Sequence, residues 1–460
     1  MSSHYKAFLV VFTLAVIVFW LARPVFTKFM ADEDYVRRRN LWLCLTASAF
    51  LIPSFWVHMA IAAILIYRSS KKERNPAALY SFLLLTIPPL EQPIPGFGLA
   101  NYIFPLHHIR LLCIVLLIPA ALKILNENIT KSSSPKRMSW LGPDVFLVMY
   151  GFLQVFLYVP YSSTTDTARS LLLMALDLLL PYFVLSRSCI SKDKIVETIS
   201  TFCLSAVVLA PVAIFELSKG WLVYDEIAAY WNVDVNIGGY LLRGESVRAI
   251  VSSGNSIVLG NFFAVGLGAW LYLIDKTKRN QAFLISAAIV GGLLAAFSRG
   301  PWVGAVVCIF VYYAVGPNPG SRLLKLLTIS VVVAGLVFIS PYGDKAISFL
   351  PFAGSVDAGN VTYRQAINDR AILIIGLNPF FGSPYFSQYM EDLRTGYGII
   401  DFLNVYLSIG MAYGLITLGA FLLFFATSIQ RVLSAVSKYK KYDPDSAMLG
   451  AALIAALTGT

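Results

Sequence analysis

Charge is what this sequence has least of. Asp, Glu, Lys and Arg make up 13% of its 460 residues against 58% apolar, and the mean hydropathy is +0.71. So few charges cannot cover the surface of a soluble protein of this length. Histidine and cysteine are scarce as well, at four and five residues. The histidines (His4, His58, His107, His108) show no zinc-ligand spacing. The cysteines (Cys44, Cys113, Cys189, Cys203, Cys308) lie in or beside apolar runs and frame no disulfide pattern, so packing is their expected role. A Walker phosphate loop and a Gly-x-Ser-x-Gly nucleophile elbow are both missing, which leaves ATP-driven transport without support. Barrel-type strand alternation, repeats of 20 to 50 residues and paired broken helices are missing too.

What the chain does have is a series of apolar runs, at 7–22, 41–67, 77–88, 111–125, 141–160, 170–186, 195–218, 251–274, 282–297, 302–316, 326–341, 401–429 and 446–460. Most exceed a globular core helix and suffice to cross hydrocarbon. Lipid offers no hydrogen-bond partner, so they must be helical. The expected fold class is all-α, a polytopic transmembrane bundle of about thirteen spans (roughly 12–14) with a large external loop carrying short helices.

With the N-terminus inside and the connections sorted alternately, the inside set holds 21 Lys plus Arg against 6 acids and the outside set 15 against 14. That is the asymmetry of cytoplasmic loops. Inside clusters stand at Arg68, Lys71, Lys72 and Arg74; at Lys136 and Arg137; at Lys276, Lys278 and Arg279; and at Lys438, Lys440 and Lys441. One segment resists: Arg37, Arg38 and Arg39 fall outside, offset only in part by Asp32, Glu33 and Asp34. The net charge of +11 is thus a matter of topology, and nucleic acid is not an expected partner. The first run follows only Lys6 and has no convincing cleavage site, so it reads as a retained span. The chain stops inside an apolar run, and a further tail or span is an open expectation beyond Thr460.

Three external stretches exceed ordinary connections: 89–110, ending in Pro105, His107, His108 and Arg110; 219–250, with Trp221, Tyr224, Tyr230, Trp231, Gly238, Gly239, Arg243 and Arg248; and 342–400, with a polar helical candidate at 360–375 and a turn at Asn378, Pro379 and Gly382. Long loops in a compact protein are usually functional.

Arginines punctuate the external ends of the runs. Arg299 stands in Ser298-Arg299-Gly300-Pro301-Trp302, a short gap between two apolar runs with no other charge nearby, where it needs a partner or a ligand. Arg248 precedes the run at 251–274, and Arg364 and Arg370 lie about 120° apart on the loop helix. A guanidinium fork matches phosphate oxygens, so arginines converging on one cavity would hold a pyrophosphate. Snorkelling or local ion pairs are the bland alternative. Among acids, Asp401 opens the run at 401–429 with Asn404 one turn later, either as a helix cap or as a general base. Asp177 and Glu216 lie within apolar runs and rank as secondary candidates. Asp32-Glu33-Asp34 could hold a divalent ion, although a solvated charge run is the simpler reading.

Arg248-Ala249 followed by Gly254-Asn255-Ser256, then Ser298-Arg299-Gly300, then a large external loop with an arginine-bearing helix and Asn378-Pro379-Phe380-Phe381-Gly382, then Asn404-Val405-Tyr406-Leu407 with Gly410 and Gly414, together resemble the O-antigen ligase and polymerase superfamily. The resemblance covers roughly 240–430. It implies a metal-independent, inverting glycosyltransferase of the bacterial inner membrane, with its active face periplasmic, its N-terminus cytoplasmic and no cofactor. The implied partners are an undecaprenyl-pyrophosphate-linked oligosaccharide, an acceptor glycan and membrane lipid, with a chain-length regulator as a candidate. By the resemblance, Arg299 and Arg364 contact the pyrophosphate; Arg248 is a weaker third, and Arg370, Asn404 and Arg110 complete the substrate-binding set. Ligases of the family place a histidine directly before the asparagine, where this chain has Leu403. The base role then moves to Asp401, and the balance tilts from lipopolysaccharide ligase toward a polymerase of exopolysaccharide or O-antigen. The expected organisation is 1–240 as N-terminal spans, 241–430 as the ligase-like core including loop 342–400, and 431–460 as a cytoplasmic loop and final span. A lipid-linked sugar flippase and a metal-dependent transferase using Asp32 and Asp34 are the rivals.

Overall fold

The computed structural model describes residues 2–96, 98, 101–130, 142–233, 242–243, 246–339, 358–394, 400 and 404–459. In chain order the helices are α1 (Ser3–Phe26), α2 (Asp32–Leu51), α3 (Phe55–Ser70), α4 (Pro76–Leu83), α5 (His108–Leu112) and α6 (Ile118–Thr130). They continue as α7 (Gly142–Phe156), α8 (Thr164–Met174), α9 (Leu180–Ser188), α10 (Lys192–Lys219), α11 (Asp225–Tyr230) and α12 (Ser256–Leu273). The remainder are α13 (Arg279–Ala295), α14 (Arg299–Val315), α15 (Pro319–Ile339), α16 (Ala358–Leu377), α17 (Val405–Tyr442) and α18 (Pro444–Thr458). The strands described form two small hairpins, β1 (Gln92–Pro95) with β2 (Tyr102–Leu106) and β3 (Leu242–Arg243) with β4 (Ser246–Val247). Among the described residues, seven helical stretches are long and apolar enough to cross a bilayer, and four shorter apolar helices accompany them. The protein is an all-α polytopic membrane protein, as its apolar runs require.

The chain forms two compact units: residues 1–135, 180–324 and 432–460 make one, and residues 136–179 and 325–431 the other. In the first unit α10 and α12 are the most buried of the long helices, with α1, α13, α14 and α18 around them. Small residues let these helices approach closely, the usual device where apolar burial gives no preference for protein over lipid. A Cβ on Gly268 of α12 would sit 3.1 Å from the backbone of Ala456 on α18. The outer face of α13 presents Phe283 and Leu284, as a lipid-facing helix should.

Proline changes the expected layout of the first spans. The run 41–67, expected as one crossing, is two helices, because Pro53 lacks an N–H and biases Ile52 away from helical geometry; Ile52 is extended at φ −98°, ψ 121°. α2 and α3 fold back as a hairpin. At one end Ser48 Oγ lies 3.1 Å from His58 Nδ1; at the other, Arg37 and Arg38 pair with Glu73, just past α3, at 2.9 and 2.7 Å. Arg38 is almost wholly buried and also reaches Glu197, near the start of α10, at 2.6 Å. Beyond the far end of α10, Trp231 Nε1 donates to the Ile52 carbonyl at 2.9 Å, and Tyr230 stacks on His4 with ring centroids 3.9 Å apart.

The N-terminus therefore shares an end with residues 219–233, whereas the expected topology set them on opposite faces. The arginines at 37 to 39 share the other end with Arg68, Lys71, Lys72 and Arg74. The charge anomaly thus belongs to a reading that carried the 41–67 run straight through Pro53.

The run 77–88 also departs from a plain span. Helix α4 stops at Leu83, and residues 84–90 continue as irregular but largely buried chain. Irregular backbone at membrane depth is tolerated where protein rather than lipid surrounds it.

In the second unit α7 and α8 pack closely: a Cβ on Gly151 would meet Met174 and Leu178 at 3.0 Å. A separate core joins Ile367, Ala371 and Ile374 of α16 to Met390 and Met411.

Candidate active site

Arg299 is the first residue of α14, with extended Ser298 before it. The approach is tight: Phe297 has φ +49°, a left-handed conformation that a bulky residue adopts only when its surroundings force it. Trp302 Nε1 donates to the Leu293 carbonyl at 3.0 Å and its ring meets Phe297 edge-on. Pro301 fits against Gly260, where a Cβ would come within 2.6 Å. These contacts fix the turn and leave Arg299 half-buried at the head of its helix.

Arg248 is half-buried on a segment tied to the same turn. Directly after it, Ala249 N–H donates to the carbonyl of Ala295 at 3.2 Å, the last residue of α13. Val251, three residues on, is left-handed at φ +47°. A β-branched residue there is an outlier that costs on the order of 1–3 kcal/mol and needs external restraint. Glu216 of α10 supplies it. Its carboxylate is fully buried and accepts three backbone N–H groups: Val223 at 3.1 Å, Ile250 at 3.0 Å and Val251 at 2.8 Å. Ser252 Oγ donates to the Leu85 carbonyl, so the segment is also held to the irregular chain after α4. Glu216 thus clasps the start and the end of the 219–250 loop and sets the backbone that carries Arg248. The sequence marked Glu216 only as an acid within an apolar run.

Arg110 is engaged locally. Its Nη1 donates to the Pro105 carbonyl at 2.5 Å and lies 3.7 Å from Glu91, which His107 also approaches at 3.7 Å. That set braces the β1–β2 hairpin. Outside this region, Asp32 is gripped by Arg23 through two bonds of 2.9 and 2.7 Å, and Asp34 pairs with Arg37 at 2.7 Å. The acidic triplet opens α2, where the helix dipole favours it. Asp225, in the loop after α10, has its carboxyl pushed up to about 6 by burial, with the Glu226 charge adding to it.

In the second unit Arg364 is exposed on α16. Arg370, two turns on, reaches the other way: Nη1 donates to the Tyr389 carbonyl at 2.6 Å, and the fork pairs with Asp392 at 2.9 Å. The two arginines thus point apart, and Arg370 braces α16 against the short helix at 386–393. Asn404 caps α17, its Oδ1 accepting from Tyr406 and Leu407 N–H at 3.0 and 3.3 Å. The described helical geometry begins at Val405, with Asn404 as its cap. Asp401 lies outside the described residues, as do Leu403, Lys136, Arg137, Gly238 and Gly239. Helix α17 is interrupted at Gly414, with φ 75° and ψ 176°. Asp177 sits on a π turn between α8 and α9 and faces outward.

A helical membrane protein with an arginine at the head of a span, a second on a clasped loop and a third on a loop helix is the class that these features define. Residues 282–422 match the family model described as O-antigen ligase, in line with the motifs by which the sequence resembles that superfamily. Arg299, Arg364, Arg370 and Asn404 fall inside it; Arg110, Glu216 and Arg248 lie before it. No curated protein and no solved structure matches the chain.

Proposed function

We propose that the protein is a glycosyltransferase acting at the periplasmic face of a bacterial inner membrane. It moves a glycan from an undecaprenyl-pyrophosphate carrier to an acceptor sugar, and the acceptor is another carrier-linked repeat unit, which makes the protein a polymerase of exopolysaccharide or O-antigen. The observation that carries this reading is Arg299 inside the O-antigen ligase match, at the head of α14 and backed through Ala295 and Ala249 by the Arg248 segment. Leu403, where ligases of the family have histidine, favours polymerase over ligase.

Charge supports the orientation. With the 219–250 loop outside, the N-terminus is outside too and the 23–40 segment is inside. The inside then holds 25 Lys plus Arg against 9 acids and the outside 11 against 11, a cleaner asymmetry than the single-span reading gave.

The chemistry needs two things. The acceptor hydroxyl oxygen bonds to the anomeric carbon from the face opposite the pyrophosphate. As it does so the bond from that carbon to the phosphate oxygen breaks, and undecaprenyl pyrophosphate leaves with the electron pair. Guanidinium groups neutralise the charge that develops on the leaving group, a stabilisation greatest in the transition state. The hydroxyl proton passes to a base, the role proposed for Asp401. Arg299, Arg248 and Arg364 are the proposed pyrophosphate ligands, while Arg370 and Asn404 brace their own loop and Arg110 braces the β1–β2 hairpin.

The test is polymer synthesis by purified protein supplied with a carrier-linked repeat unit. Arg299→Ala abolishes product while the protein stays monodisperse, and Arg299→Lys rescues poorly, because a point ammonium cannot replace a two-pronged fork. Full activity in Arg299→Lys refutes the bidentate contact. Transfer confined to a lipid A core acceptor replaces polymerase by ligase.

A further inference from the structure

The loop expected to lie wholly outside the membrane carries a face that does not suit water. The outward face of α16 changes character along its length. Its first turns present Arg364 and Asn368, and its last turns present Ile372, Leu373 and Leu377, followed by Phe380 and Phe381 in the turn. These five apolar side chains are each 52% to 68% exposed, while the opposite face is already filled by the Met390 and Met411 core. Five large apolar groups left open within ten residues form a patch that a soluble loop does not carry.

The turn is also strapped to a span. Gly382 N–H donates to the Asn378 carbonyl at 2.9 Å, and Ser383 N–H to the Met411 carbonyl at 2.7 Å. In return, Leu415 and Ile416 N–H donate to the Pro379 and Phe380 carbonyls at 2.8 and 3.5 Å. The interruption at Gly414 is what frees those donors. Both Gly382 and Gly414 have positive φ, and a Cβ on either would strike the other strand of the strap at 2.5 Å or less.

Two markers give the level of this strap. From Leu415 to Arg431, the first charged residue of α17, the helix rises about 24 Å, short of the roughly 30 Å of bilayer hydrocarbon. Independently, Tyr385 Oη donates at 3.1 Å to the carbonyl of Tyr161, which lies between the ends of the apolar helices α7 and α8. Exposed Tyr161, Tyr385 and Tyr389 are the residue type of a membrane–water boundary.

We infer that the last two turns of α16 and the Phe380–Phe381 turn are inserted into the leaflet on the loop's side, so that this face docks on lipid acyl chains while the Arg364 end stays at headgroup level. The occupant is lipid because the patch is continuous with the apolar start of a span and its polarity changes along the helix rather than around it. The inference rests on the membrane-spanning fold and not on the transfer chemistry, so either can fail alone.

The test uses full-length protein in vesicles, with Cys44 and Cys189 replaced by serine and single cysteines placed at Asn368, Leu377 and Phe381. An impermeant maleimide should label position 368 at least tenfold faster than 377 and 381. A fluorophore attached in detergent at 377 or 381, followed by reconstitution, should be quenched by lipids brominated on their acyl chains and not by aqueous iodide. In a Gly414→Ala background, labelling at 381 should rise toward that at 368 as the strap opens. Equal labelling at all three positions in the parent overturns the inference. So does protection at 377 and 381 from both kinds of quencher, which means protein rather than lipid covers the face.

Discussion

Replacing Glu216 tests how the 219–250 loop is held, because one side chain satisfies three backbone donors on two segments. In Glu216→Ala the N–H groups of Val223, Ile250 and Val251 lose their acceptor in a fully buried site. A buried donor left unmade costs about 1–3 kcal/mol, so the three together cost on the order of 5 kcal/mol if nothing relaxes. Relaxation is the easier course, since Val251 is strained and only the clasp opposes its release. Glu216→Gln is the sharper variant. Its single oxygen can serve Ile250 and Val251, as Oε2 does now, but its amide then faces the Val223 N–H donor to donor. The expected loss for Gln is about 1–3 kcal/mol, with α10 intact. Glu216→Asp should not rescue, because a side chain one carbon shorter cannot span both segments. Thermal unfolding in detergent reads the stability, limited proteolysis reads the opening of residues 220–253, and polymer synthesis reads the displacement of Arg248. If Arg248 binds the pyrophosphate as proposed, a shift of about 1 Å there suffices for a roughly hundred-fold loss. If Glu216→Gln matches the parent in melting temperature and protease resistance, the carboxylate is not the clasp and the account of Arg248 positioning fails with it.

Three further outcomes follow from the same structure. A cysteine at Ser3 should react with an impermeant thiol reagent from the same side as cysteines at 235 and 360, while cysteines at Arg39 and Lys278 should react only from the other; labelling of positions 3 and 39 from one side would undo the hairpin topology. Asp401→Asn should lower turnover by at least about a hundred-fold with carrier binding nearly unchanged, by the usual size of general-base effects; parental turnover would exclude Asp401 as the base. Asp225 titrates near 6 in the folded protein, above its ordinary value of 3.8, so it favours folding below pH 4 and loses that contribution as pH rises through 6. Asp225→Asn should therefore raise the melting temperature at pH 7.5 and leave it unchanged at pH 4; an equal shift at both values would point to a cause other than ionisation.

The membrane class and most spans were legible because hydropathy reports directly on lipid contact. The runs 195–218 and 282–297 overlie α10 and α13 with small errors at their ends. Hydropathy also reads through interruptions, and each layout error has that origin. Leu51-Ile52-Pro53-Ser54-Phe55-Trp56 is apolar enough to pass for mid-span, although Pro53 turns the chain there. The break at Gly414 and the end of α4 at Leu83 are hidden in the same way.

Among the candidate residues, Arg299 could be found because a lone charge between spans is conspicuous. Arg370 looked equivalent to Arg364 until Asp392 and the Tyr389 carbonyl claimed it, since sequence spacing gives angular position but not partners. The clasp by Glu216 leaves no signature at all: its partners are main-chain amides, two of the three of them 34 and 35 residues away.

The central claim is bond formation at the expense of a pyrophosphate carrier on one face of the membrane. The most direct measurement places purified protein in sealed vesicles of known orientation and supplies the carrier-linked repeat unit to one face at a time. The account predicts a polymer ladder and release of undecaprenyl pyrophosphate in step with the new glycosidic bonds, only when substrate meets the face bearing residues 219–250. Passage of intact carrier-linked glycan across the membrane without new bonds would make the protein a transporter, and would contradict the account outright.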